Sequence, residues 1–169
     1  LRPGAALRAD LMVMSRHRHR VAAPVGVSPG ETIGNYKIVE FLGEGGMGTV
    51  YRVEHVVFGR QYALKALRSR VVERDEEAAE NFVREARTGA AVEHPNALPV
   101  YEVGDHNGLL FISMRYVPGE DLAGAIDREI FLGPERTVRI VRQVASALDA
   151  AHAAGLVHRD VKPHNVLLT

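Results

Sequence analysis

His158-Arg159-Asp160-Val161-Lys162-Pro163-His164-Asn165 gathers an acid, a base and an amide into one short stretch near the chain's end. If a loop holds them together, Asp160, Lys162 and Asn165 can converge on one phosphate and its metal ion. Alone, the string is also compatible with a polar turn after a helix.

Two stretches further up the chain carry chemistry of the same kind. Gly43-Glu44-Gly45-Gly46-Met47-Gly48 has the G-x-G-x-x-G spelling that dinucleotide-binding folds share. A dinucleotide loop must lead into a helix. Here Thr49-Val50-Tyr51-Arg52-Val53 alternates as a strand, and no Gly-Lys-Ser/Thr follows, so a Rossmann turn and a Walker A loop are both excluded. A glycine-rich hairpin folding over phosphates fits, as does a plain hairpin. Lys65 lies inside the apolar strand candidate Gln61-Tyr62-Ala63-Leu64-Lys65-Ala66-Leu67. A buried ammonium needs a counter-charge. Glu85, three residues after Phe82 and so near the inward face of the next helix, is the natural partner. The pair would let Lys65 hold α- and β-phosphates; the alternative is a lysine snorkelling from an edge strand.

The elements that must position these groups can be read in order. Residues 1–33 have no sustained period and contain the basic knot Ser15-Arg16-His17-Arg18-His19-Arg20, which predicts a disordered tail. Strands are expected at Tyr36–Leu42, Thr49–Glu54 and Gln61–Leu67, followed by a helix over 75–93 with Asp75 as cap and His94-Pro95 as its stop. Two more strands, Leu98–Val103 and Leu109–Met114, flank the turn Asp105-His106-Asn107-Gly108. A short helix is expected over about 121–128. A longer one should start at Pro134 and stop at Gly155, with Val138, Val141, Ala145, Leu148 and His152 as its core stripe.

Composition narrows the classes. Lys plus Arg and Asp plus Glu both number 21, so no global field favours nucleic acid or an acidic membrane surface. The absence of cysteine excludes disulfides, thiolate metal sites and cysteine nucleophiles, and no apolar run reaches the length of a bilayer span. A cytoplasmic setting is expected. Leu1 in place of Met, and Thr169 directly after the apolar run Val166-Leu167-Leu168, read as the ends of a fragment.

Taken together, Gly43 to Tyr51, Tyr62-Ala63-Leu64-Lys65, Glu85 and His158 to Asn165 stand in one order and spacing that resembles the protein kinase superfamily, most of all bacterial eukaryotic-type serine/threonine kinases. The resemblance covers about residues 34–169. It implies an α+β kinase-like fold: an N-lobe over 34–117 with five antiparallel strands and one helix, then the hinge and the start of a helical C-lobe over 118–169. It implies ATP and Mg²⁺ as cofactors, and serine or threonine hydroxyls of proteins as acceptors. Nucleic acid is not expected as a partner, and no membrane segment is expected within these residues, whereas the parent protein could be anchored by one beyond residue 169. Carried over residue by residue, Leu42, Gly43, Glu44, Gly45, Gly46, Met47 and Gly48 would cover the nucleotide. Val50, Ala63 and Leu167 would sandwich the adenine, Met114 would be the gatekeeper, and Tyr116 and Val117 the hinge. Asp121 would reach the ribose. Lys65 and Glu85 would form the phosphate-binding pair, Asp160 would orient and deprotonate the acceptor, Lys162 would stabilise the transferred phosphoryl group, and Asn165 would ligate Mg²⁺. Lys162 resembles the serine/threonine class.

Departures accompany the match. Arg115 replaces a usual Glu, Gly89 is expected to underfill the inner face of its helix, and no Asp-Phe-Gly follows Leu168. The expectation is a serine/threonine kinase whose 169 residues are inactive by themselves; the alternative is a non-catalytic nucleotide-binding or interaction module.

Overall fold

The computed structural model describes residues 7–11, 27–45, 48–67, 83–84, 86–87 and 89–169. In chain order its elements are β1 (Ala9–Leu11), β2 (Thr32–Ile33), β3 (Tyr36–Gly45), β4 (Gly48–His55), β5 (Gln61–Ala66), β6 (Val100–His106), β7 (Leu109–Arg115), β8 (Glu120–Asp121), α1 (Leu122–Glu129), α2 (Pro134–Ala153), a 3₁₀ turn (Pro163–Asn165) and β9 (Val166–Leu168). They divide into a sheet unit, residues 16–90 and 99–116, and a helical unit, residues 1–15, 91–98 and 117–169.

The sheet unit is one antiparallel sheet in the order β2-β3-β4-β5-β7-β6. It has six strands instead of five because Thr32–Ile33 add a short edge against β3. Alternation gives each strand one face for the core, where Ile38, Val53, Leu64 and Phe111 pack together. Tyr36 lies in the same cluster, with its hydroxyl donating to Glu102 Oε2 at 2.7 Å and lying 3.0 Å from Ser113 Oγ. Burial pushes that hydroxyl up to about 12, so it stays a donor at neutral pH. The β6–β7 connection is the expected tight turn. Asn107 (φ 54°) and Gly108 (φ 79°) are both left-handed, as a two-residue hairpin requires. Helical backbone is described at 83–84, 86–87 and 89–90 and ends at residue 90 rather than 93. Gly89 does not underfill that helix: a Cβ there would lie 3.1 Å from Val100 Cγ2, so the glycine permits close helix–strand packing.

Within the stretch 1–33 expected to be a disordered tail, residues 7–11 are ordered in the helical unit, and the basic run 15–20 lies outside the described residues. Leu7, Ala9 and Leu11 alternate with Arg8 and Asp10, a period-2 pattern concealed beside the basic run. They form β1 and its approach, with β1 pairing antiparallel to β9 in the register Ala9↔Leu168, Asp10↔Leu167, Leu11↔Val166. Ala9 and Leu11 are 0% and 1% exposed in a core with Ile140, Ala147 and Val166. Gln143 of α2 fastens the strand by accepting from Ala9 N at 3.0 Å and donating to Leu7 O at 3.3 Å. Residues 91–98 join this unit, because Leu11 N donates to Asn96 O and Leu98 N to Leu11 O.

The strand also explains which face α2 buries. The expected stripe is mostly wrong: Val138, Val141, Ala145 and His152 are exposed, and of its members only Leu148 packs against the core. The buried line is Ile140, Ala147 and Ala151, with Val144 and Leu148 packed beside it. Small residues at 147 and 151 let the helix approach closely, and β1 was not among the expected elements. Pro134 begins α2 as expected.

Candidate active site

In the sheet unit the glycine-rich stretch is the tip of the β3–β4 hairpin, with Gly43↔Val50, Glu44↔Thr49 and Gly45↔Gly48 paired. Gly46 and Met47 lie outside the described residues. Leu42 falls where the register shifts between Phe41 and Gly43, a bulge that re-aims the tip. The glycines are not equivalent. A Cβ on Gly43 would meet nothing within 4 Å, so its open flank suits a ligand's approach. Gly48 has φ +136°, and a Cβ there would lie 2.2 Å from the Ala66 carbonyl oxygen of the neighbouring strand. Its glycine is demanded by the protein's own backbone. Gly48→Ala is therefore expected to cost about 3 kcal/mol of stability in urea unfolding, whereas Gly43→Ala should leave stability within about 0.5 kcal/mol. Equal losses would sink the distinction.

Directly paired residues in a sheet share a face. Val50↔Lys65, Ala63↔Met114 and Lys65↔Ile112 therefore place Val50, Ala63, Lys65 and Met114 on one face, opposite the core cluster around Leu64. These are the expected adenine, phosphate and gatekeeper positions. Lys65 is 3% exposed. Glu85 lies outside the described residues. Glu44 pairs with Thr49 and so shares its face rather than that of Val50; among the hairpin's expected contacts it offers backbone. Tyr116 follows β7 directly, and the Arg52 guanidinium lies 5.8 Å from its ring centroid.

In the helical unit α2 delivers the chain to residues 155–162, and the 3₁₀ turn then feeds β9. His158 Nδ1 accepts from Asp160 N at 3.2 Å, holding the backbone in a bend. Arg159 is left-handed at φ 61°, an uncommon and mildly costly conformation for a residue with a Cβ. Asp160 Oδ2 receives Lys162 Nζ at 2.8 Å and Asn165 Nδ2 at 3.1 Å, and Asn165 Nδ2 also reaches Asp160 O at 2.8 Å. Asn165 is fully buried. Two of the three polar groups singled out by spacing, Lys162 and Asn165, are thus brought onto the carboxylate of the third, Asp160.

Because Asn165 meets Asp160 through its amide nitrogen, a cation would be ligated through its amide oxygen. A carboxylate and an amide oxygen are hard ligands that suit Mg²⁺. Among the described residues no three His, Asp or Glu side chains form a metal cluster. A cation held here would therefore complete its shell with water or phosphate oxygens, as Mg²⁺ commonly does.

Val117, Asp121 and Leu167 belong to the helical unit, with Leu167 buried on β9. The structure gives Asp121 a capping role beside the expected ribose contact. Its Oδ1 caps α1 by accepting from Gly124 N at 2.8 Å, it lies 3.8 Å from His164 Nδ1, and the residue is 3% exposed. A short polar side chain just before a helix is an N-cap signal, which was legible in the sequence.

Residues 36–169 match the family model described as the protein kinase domain. The serine/threonine-protein kinase PknE of Mycobacterium bovis is 44% identical over 140 residues, covering 83% of this chain and 25% of that protein. PknH from the same species is 42% identical over 140 residues, again 83% of this chain and 23% of the relative. The solved kinase domain of Mycobacterium tuberculosis PknI superposes with a TM-score of 0.73 at 38% identity, covering 84% of this chain and 57% of that one. The chain spans about a quarter of the length of the curated relatives it matches.

Proposed function

Because the chain belongs to the protein kinase family, we propose that it carries the nucleotide-holding and acceptor-activating residues of an ATP-dependent serine/threonine kinase of the bacterial eukaryotic type. The observation that carries this reading is the convergence of Lys162 and Asn165 on the Asp160 carboxylate, one basic and one amide donor on a single oxygen.

The chemistry assigned to each residue follows. Lys65 holds α- and β-phosphates, Val50, Ala63 and Met114 line the base, and the open flank at Gly43 lets backbone approach the phosphates. Asp160 orients a serine or threonine hydroxyl and takes its proton as the oxygen attacks the γ-phosphorus. The bond from that phosphorus to the β-bridging oxygen breaks, and ADP leaves. Lys162 offsets negative charge on the phosphoryl group in flight. Mg²⁺ bound at Asn165 would neutralise charge on the phosphate oxygens. Positioning and electrostatics do the work, without a covalent intermediate. Preference for serine and threonine rests on Lys162 and on the similarity to the serine/threonine-protein kinases PknE and PknH. No described helix is long and apolar enough to cross a membrane, and the setting proposed is cytoplasmic.

Calorimetry with ATP should show Mg²⁺-dependent binding, and the absence of any binding would overturn the reading. Incubation with γ-labelled ATP and a protein acceptor then separates the alternatives. Label on serine or threonine with wild type but not with Asp160→Asn marks an enzyme. Binding without transfer marks a nucleotide-binding module.

A further inference from the structure

We propose that Arg52 is a positioning residue for the base-contacting segment at Tyr116, holding it through a cation–π contact; this rests on the nucleotide reading above. The register carries the first part of the argument. Glu40↔Arg52, Arg52↔Ala63 and Ala63↔Met114 are successive direct pairs, so one row crosses the sheet on the face that carries Val50 and Lys65. Arg52 stands in that row beside Ala63, the residue assigned to the adenine.

The second part is how the guanidinium is held. Its Nη2 meets Glu40 Oε2 at 2.9 Å and its Nη1 lies 3.5 Å from Gln61 Oε1, while its carbon is 5.8 Å from the Tyr116 ring centroid. The arginine side chain is only 25% exposed. A planar cation fixed by a carboxylate and 5.8 Å from an aromatic ring centroid lies within cation–π range, a contact that a lysine reproduces only in part.

The third part is what Tyr116 lacks. The pairing of β5 with β7 ends at Tyr62↔Arg115, so the next residue has left the ladder. No strand partner sets the direction of Tyr116, and the backbone of this residue is the one assigned to the base. Anchoring its ring fixes that backbone. The motif that brings Arg52 into place is plain β4 alternation, and nothing in the phosphate chemistry requires an arginine there.

The test separates base from phosphate. Binding of ATP, adenosine and Mg²⁺-tripolyphosphate is measured by calorimetry for wild type, Arg52→Met, Arg52→Lys, Tyr116→Leu and the Arg52→Met/Tyr116→Leu pair. Arg52→Met is expected to weaken ATP and adenosine by about three-fold and to leave tripolyphosphate unchanged. Arg52→Lys should recover part of that loss, and Arg52→Met should add nothing in the Tyr116→Leu background. Unchanged ATP and adenosine affinity in Arg52→Met, an equal loss for tripolyphosphate, or additive effects of the two substitutions would each overturn the positioning role while leaving the nucleotide site standing. Wild type binding none of the three compounds would instead remove the nucleotide reading, and this proposal with it.

Discussion

Lys65→Met should lower ATP affinity by roughly 10- to 100-fold, the span expected for losing a charge-assisted hydrogen bond. The loss should fall on Mg²⁺-tripolyphosphate to the same extent and leave adenosine alone. This is the reverse of the pattern argued for Arg52. The reason lies in register: Lys65 sits between Val50 and Ile112 on β5, two residues beyond Ala63 on the same face, so it serves a different part of the ligand from the row at Ala63. Arginine should not substitute. At 3% exposure the site is filled, and a longer, planar cation needs room that the neighbouring strands already occupy. Calorimetric affinities for the three compounds check this. A uniform loss across all of them, adenosine included, would show that the substitution damages the sheet and that Lys65 has no specific claim on phosphate.

The contrast between Lys65 and residues 7–11 shows what was legible in the sequence. Lys65, the glycine hairpin and the loop ending at Asn165 carry distinctive combinations of residues at tight spacings, and local order suffices to place each on its strand or turn. Signals that act within a few residues announce both helices, an amphipathic pattern for α1 and Pro134 with Gly155 for α2. What escaped depends on contacts far apart in sequence. Three alternating apolar residues at 7, 9 and 11 are too short a pattern to announce a strand, and they become β1 only by pairing with residues 166–168. The wrong stripe on α2 follows from that omission. Its two apolar lines are hard to rank by periodicity, and the β1 core selects Ile140 over Val141. Asp121 carries a cap that its type and its place just before α1 announce, a role its Oδ1 fills without excluding the expected ribose contact.

Asn165→Asp is expected to be the most damaging single substitution in the helical unit. The amide nitrogen now donates to Asp160 O at 2.8 Å and Oδ2 at 3.1 Å from a fully buried position. An aspartate of the same shape replaces a donor with a negatively charged acceptor, so two attractions become repulsions, and the new charge is buried although the Asp160 side chain itself is 38% exposed. Lys162, 2.8 Å from the same Asp160 oxygen, offsets one carboxylate but not two. The cost should be about 3 kcal/mol or more, against roughly 2 kcal/mol for Asn165→Ala, which loses the donor without adding charge. Urea unfolding followed by circular dichroism measures both. Mg²⁺ then distinguishes a brace from a brace that also forms a cation site. Paired carboxylates attract a divalent ion, and whatever binds the folded state alone stabilises it by mass action. Millimolar Mg²⁺ should therefore recover part of the loss in Asn165→Asp and almost none in Asn165→Ala. If the aspartate variant is as stable as wild type without Mg²⁺, the contact between Asn165 and Asp160 is not what holds the loop. If Mg²⁺ rescues neither variant, the loop is braced as described but offers no ligand to a cation.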